Sequence, residues 1–198
     1  MPSSVDLCNS ALNMIGASNI TAFTEDSKAA RLCNQRYDFI RDKVFRSHSW
    51  NCLLTRVALT PDATAPTFEF AYAFTLPTDP YCLRPLNLDA SNIVYNVEGR
   101  KILTDESTIN LVYVARVLDV NLYDSALMET ISMALAADFA YPLTNSVALG
   151  NAMQQKFEKM VSEARFLDAI EGATADSSTT TDRMTLEANE FINARQAP

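Results

Sequence analysis

The stretch Ile93-Val94-Tyr95-Asn96-Val97-Glu98-Gly99-Arg100-Lys101-Ile102-Leu103-Thr104 decides the fold. Two short runs rich in β-branched and aromatic residues flank Glu98-Gly99, and Gly99 offers the positive φ that a tight hairpin needs. A hairpin here puts antiparallel sheet in the middle of the chain. Working outward, Ile109 to Arg116 extends it as a meander. On the N-terminal side, Cys52 to Leu59 and Tyr81 to Leu88 read as strands. Between them lie a loop, Pro61 to Pro66, and a turn at Leu76-Pro77-Thr78-Asp79-Pro80. Phe68, Phe70, Tyr72 and Phe74 recur at period two, which predicts a strand with one buried aromatic face.

Both flanks of this β region are helical in pattern. Ser3 or Ser4 can cap a helix carrying Leu7, Cys8, Ala11, Leu12 and Ile15 on one face, stopped at Gly16. Asp26 or Ser27 opens a second helix with apolar positions from Ala29 to Phe45 at a 3.6-residue rhythm. After the sheet, Asp124 or Ser125 caps an Ala-rich helix that Pro142 is expected to end. A last helix from about Ser146 to Ile170 should turn Leu149, Met153, Phe157, Met160 or Val161, Ala164 and Leu167 inward. Asp168 is expected in solvent and Gly172 at the end. Ala173 to Asp182 is rich in Ser, Thr and Asp without periodicity, which predicts a linker. The anchors Leu186, Phe191 and Ile192 follow it.

The expected fold is therefore α+β: a bundle of about four helices, with a small antiparallel β domain inserted between the helical halves, plus a flexible C-terminal tail. The boundaries are 1–50 for the first helical half, 51–118 for the β domain, 119–171 for the second half and 172–198 for the tail.

Composition narrows function. The chain has 198 residues, 16 Lys and Arg against 24 Asp and Glu, and a formal net charge of -8. Phosphate grip scales with cationic contacts, so a tight nucleic-acid clamp is disfavoured. One His and four Gly leave no supply for a histidine-rich metal site or a glycine-rich phosphate loop. Cys8, Cys33, Cys52 and Cys82 form no CxxC pair and read as small core residues in a reducing compartment. The N-terminus lacks the basic flank and apolar run of a signal peptide, and no stretch reaches membrane-span length. A soluble chain is expected, with no cofactor and no metal.

Few residues suggest chemistry. His48 and Cys52 are four apart around Trp50, but a Cys–His nucleophile also needs a third, orienting group. The more economical reading gives His48 a role at the helix C-terminus and buries Trp50 and Cys52. Asp79, Asp89, Asp105, Glu106 and Asp119 fall near strand ends without metal spacing and read as turn residues. No enzymatic activity is expected. The second helix is the most basic part, with Lys28, Arg31, Arg36, Arg41, Lys43 and Arg46, yet Asp38 and Asp42 interrupt it. Residues 1–60 carry a net charge of +2, and residues 61–198 carry -10.

An ordered set of motifs then becomes informative. It comprises Phe74-Thr75-Leu76-Pro77, Asp79-Pro80-Tyr81-Cys82-Leu83-Arg84, the hairpin Val97 to Asp105, and Ile109-Asn110-Leu111-Val112-Tyr113. Ala134-Leu135-Ala136-Ala137, Pro142-Leu143-Thr144 and Ala164-Arg165 complete it. Over residues 5–171 this resembles the head-to-tail adaptors of tailed bacteriophages, the tail tubular protein A or gatekeeper-type connectors. The resemblance implies a structural protein of the virion, at the head–tail junction and made in the host bacterial cytoplasm. It implies a ring, usually of twelve subunits, beneath the portal protein, and a platform for a downstream tail tube or nozzle protein. Double-stranded DNA would pass through as non-specific cargo, and no membrane is involved. The C-terminal segment, with Leu186, Phe191 and Ile192, would dock on the portal. Arg31, Arg36, Arg41 and Arg46 are the candidate intersubunit contacts, meeting an acidic face of the next copy. Some of the acidic excess after residue 60 is expected to face the channel, where repulsion keeps DNA centred. The alternatives are another head-completion or tail-terminator protein, a small hydrolase using His48 and Cys52 or an Asp pair, and a generic binding module.

Overall fold

The computed structural model describes residues 2–89 and 93–172. The tail anchors Leu186, Phe191 and Ile192 lie outside the described residues. Four helices, α1 (Ser4–Met14), α2 (Lys28–Ser47), α3 (Ser125–Thr144) and α4 (Val147–Gly172), enclose a chain segment that forms six strands. These are β1 (Leu54–Leu59), β2 (Tyr72–Thr75), β3 (Cys82–Leu88), β4 (Tyr95–Glu98), β5 (Lys101–Thr104) and β6 (Ile109–Ala115). The fold is α+β: a helical bundle with a β segment inserted between α2 and α3.

Local chemistry sets the helix limits. Ser3 and Asp6 form a reciprocal capping box at the start of α1, satisfying two otherwise orphaned N–H groups. Ser27 accepts from the Ala30 N–H to open α2, and Asp124 accepts from Ala126 to open α3. α3 does not end at Pro142 as the sequence suggests. It continues to Thr144 and stops at Asn145, which takes the left-handed conformation at φ 55°. Pro142 lies in the last turn, where it leaves out one i→i−4 hydrogen bond without ending the helix, and the Lys28 ammonium donates to its carbonyl.

α3 is the hub. Ten of its twenty residues are buried, including Leu127, Ile131, Leu135 and Phe139, and α1, α2 and α4 all pack on it. α4 is an outer helix that buries only Met153, Ala164 and Asp168, with Phe157 and Met160 half-buried on the same line. The helical core continues through Phe45, Trp50 and Leu53.

The β segment is two sheets rather than one meander. β1-β6-β3 form the first and β2-β5-β4 the second, all antiparallel. The β4–β5 hairpin turns at Gly99-Arg100; φ is +58° at Gly99, which suits the first central position of a type II′ turn. β6 alternates between two cores: Ile109, Leu111, Tyr113 and Ala115 enter the β core, whereas Val114 joins the helical one. Leu83 and Cys82 on β3 split the same way. The first sheet is thus a wall with helices behind it and the second sheet in front.

The aromatic strand is shorter than its spacing suggests. Only Tyr72 and Phe74 lie on β2, and Phe74 is fully buried between the sheets. Phe68 and Phe70 sit in the preceding loop, and Phe68 is exposed. Glu69, at φ 73°, breaks the extended run between them. The loop arches over Ala73, Glu98, Lys101 and Leu103 and leaves a cleft of about 290 Å³.

Candidate assembly surface and the α4 junction

The arginines of α2 share a helix but not a role. Arg41 is 5% exposed. Its guanidinium donates to Asp38 at 2.7 Å and to Asp42 at 2.9 and 3.1 Å, and lies over the rings of Tyr37 and Phe45. Burial opposes its charge, but the two carboxylates more than offset that and hold it protonated. Arg41 is therefore corrected from candidate intersubunit contact to internal strut, because its chain already surrounds it. Asp42 also pairs with Arg116, just past β6, so this cluster fastens α2 to the β segment. Arg46 donates to the Leu83 carbonyl on β3. The Arg100 and Arg116 guanidiniums lie 4.0 and 4.4 Å from the Tyr81 ring centroid.

Arg36 forms a two-pronged pair with Asp138 of α3, both bonds 2.8 Å, which raises its pKa. Arg31 pairs with Asp26 and keeps 61% of its side chain exposed. The outward face of α2 carries a residue that the charge pattern did not single out: Phe39, 70% exposed. At about 100° per residue it points directly away from the line of Ala30, Cys33, Tyr37 and Val44. Gln35, Lys43 and Arg46 surround it on the exposed side. A helical wheel was sufficient to find it.

The second site is where α4 meets the α2–β1 connection. Helix α2 ends with carbonyls needing partners. Ser47 Oγ donates to the Val44 carbonyl at 2.7 Å, and the buried Trp50 Nε1 donates to it at 3.1 Å. Arg165 of α4 donates to the Ser47 carbonyl at 2.9 Å. Asp168 is not solvated, as its position in the sequence suggested, but 7% exposed. It accepts from the Asn51 N–H at 2.9 Å and lies 3.0 Å from His48 Nε2, while its own carbonyl accepts from Asn51 Nδ2 at 2.6 Å. The His48 ring meets Trp50 edge to face at 5.0 Å. Gly172 is close enough that a Cβ there would stand 3.1 Å from Asn51 Oδ1. Conversely, Leu167, expected inward, is exposed. The spacing Met153, Phe157, Val161, Ala164, Asp168 runs at four, four, three and four, so the inward stripe ends on the carboxylate.

This junction opposes nucleophilic chemistry. The His48 nitrogen faces Asp168, and burial, followed by the charges of Asp168 and Asp124, pushes the Cys52 thiol up. A thiolate is disfavoured there. Three of the five strand-end carboxylates do local work: Asp105 accepts from Ala71, Asp89 from Asn110, and Asp119 from Asn121. Among the described residues no group of three His, Cys, Asp or Glu is placed to hold a metal, and no helix is long and apolar enough to cross a membrane. Cys8, Cys33 and Cys82 are buried core residues and Cys52 is half-buried, all four as free thiols. No protein-family model matches the chain, and no curated protein matches it in sequence.

Proposed function

We propose that this protein is a head-to-tail adaptor of a tailed bacteriophage. Copies form a ring, expected to hold twelve, beneath the portal protein; the ring continues the DNA channel and carries the next tail component. The observation that carries this reading is the ordered set of segments behind the resemblance, which here make the framework itself. They form β2 with the turn into β3, the β4–β5 hairpin, β6, the centre and end of α3, and the last turns of α4. A further support is the outward face of α2, where an exposed Phe39 sits among cationic side chains with nothing among the described residues over it. Aromatic residues ringed by charge are common at protein contacts.

Arg31, Phe39 and Lys43 make the lateral contact in this proposal, and Arg41 drops out because it is buried. A closed ring needs a heterologous contact, so a different, acidic face of the neighbour receives them. The acidic excess of residues 61–198 supplies such a face and also suits a channel that lets DNA slide.

Electron microscopy of the protein mixed with its portal ring tests the proposal. The expected result is a stacked ring continuing the channel, and absence of any complex would overturn it. The double reversal Arg31→Glu with Lys43→Glu should abolish ring closure on the portal. Rings that assemble normally would remove α2 from the interface.

A further inference from the structure

The last turns of α4 leave an apolar patch on the surface. Phe166, Leu167 and Ile170 are 66%, 52% and 46% exposed, and at spacings of one, three and four they adjoin on one helix face. Phe166 lies opposite the buried line of Met153, Ala164 and Asp168. Leu167 and Ile170 fall on the flank away from Gln154 and Phe157, which line the groove shared with α2. The patch is held in a fixed place, because Arg165 and Asp168 on the same turns are fastened to Ser47, His48 and Asn51. Clustered large apolar side chains of this kind mark contact sites more often than bare surface.

We propose that the C-terminal segment of this same chain covers the patch in the free protein, with Leu186, Phe191 and Ile192 seated on Phe166, Leu167 and Ile170. The argument is one of length and attachment. The segment starts at Gly172, about 9 Å along the helix from Phe166 at 1.5 Å per residue. Thirteen residues, Ala173 to Thr185, separate Gly172 from Leu186. A Ser/Thr-rich connection of that length spans roughly 20 Å root mean square, ample for doubling back. Tethering holds the anchors at an effective concentration in the millimolar range, which a second copy at micromolar concentration cannot match.

A contact with a dissociation constant on the order of 1 mM is therefore closed about half the time in the tethered chain, and easily displaced. In the adaptor reading, on which only this last step rests, the portal is what displaces it. The same three residues then serve two surfaces in turn. Release of the segment bares the α4 patch at the moment neighbours arrive, which delays self-association until docking.

Hydroxyl-radical footprinting of Phe166 and Leu167 tests the cover in the isolated protein. Three chains are compared: full length, a chain ending at Gly172, and full length carrying Phe191→Ser with Ile192→Ser. Oxidation is expected to be roughly twofold faster in the shortened chain, as millimolar tethering against millimolar affinity implies. The double variant should match the shortened chain while leaving the described fold untouched. Protection in the full-length chain should not change on dilution. Equal rates in all three chains would overturn the proposal, and so would protection that fades on dilution, which would assign the cover to a second copy. A chain with the expected protection that ignores a portal ring would overturn the adaptor reading alone.

Discussion

The helical body and the β segment are built on opposite economies. The body gathers one core around α3, with Leu127, Ile131, Leu135, Phe139 and Ala140 all fully buried, so each outer helix leans on a common partner. The β segment has a smaller core of its own, drawn from Phe74, Leu76, Cys82, Ile102, Ile109, Leu111, Tyr113 and Ala115. Among the described residues no helix backs its second sheet, and β4 is exposed along its whole length. The body is self-supporting, and the sheet wall of β1, β6 and β3 borrows from it through Leu83 and Val114. The outer sheet borrows in turn from the wall.

Hollowing each core once should separate the two regions. Phe139→Ala and Phe74→Ala both remove a fully buried ring, at about 3–5 kcal/mol each. Phe139→Ala should lower the midpoint of the whole helical transition in far-ultraviolet circular dichroism. Phe74→Ala should speed hydrogen exchange in β2, β4 and β5 while leaving α1, α3 and α4 protected. If both variants lose helix and sheet together at the same denaturant concentration, the two cores are a single cooperative unit.

A smaller effect is expected where body and β segment are joined. Asp168→Ala removes the acceptor for the Asn51 N–H and the partner of His48 at the first residues leading into β1. Leaving a buried donor unpaired costs about 2 kcal/mol. Denaturant unfolding should show that loss, with faster exchange at the Asn51 amide. Unchanged stability would mean that α4 is held by its apolar stripe alone.

That residue also marks the limit of what could be read in the sequence. The caps Ser3, Ser27 and Asp124 and the turn at Gly99 were legible because each acts on its own neighbours. The four helices and the inserted β segment followed from periodicity. Partnering did not: Asp168 continues the α4 stripe, but nothing in its spacing announces the Asn51 N–H and His48 that make its burial affordable. Arg41 is the same case in reverse, a charge on an apparently solvated helix turned inward because Asp38 and Asp42 can follow it. Alternation likewise gave strands without their sheets. Ile109 to Ala115 reads as the next strand of a meander, and only the turn of Val114 into the helical core, opposite its odd-numbered neighbours, shows it to be the wall. Phe68 and Phe70 kept the rhythm of a strand that Glu69 interrupts.

The smallest expected difference between the two regions lies in acid. In the body, the Ser3 hydroxyl and N–H hold the Asp6 carboxyl below its usual range; in the β segment, Lys101 and then Thr75 do the same for Asp62. A carboxylate whose pKa is lower in the folded chain stabilises it above the unfolded value of about 4. That contribution fades as pH falls through the folded value. Both regions should therefore loosen below about pH 4, but for physically different reasons. The Asp62–Lys101 contact, at 2.8 Å, is an ion pair that salt screens, whereas the partners of Asp6 are neutral dipoles. Acid titration of stability in low and high salt, for the unmodified chain, Asp6→Asn and Asp62→Asn, separates the two. High salt should nearly erase the difference that Asp62→Asn makes and leave that of Asp6→Asn in place. Equal salt sensitivity at the two positions would mean that the charge of Lys101 adds nothing to what the Thr75 hydroxyl already supplies.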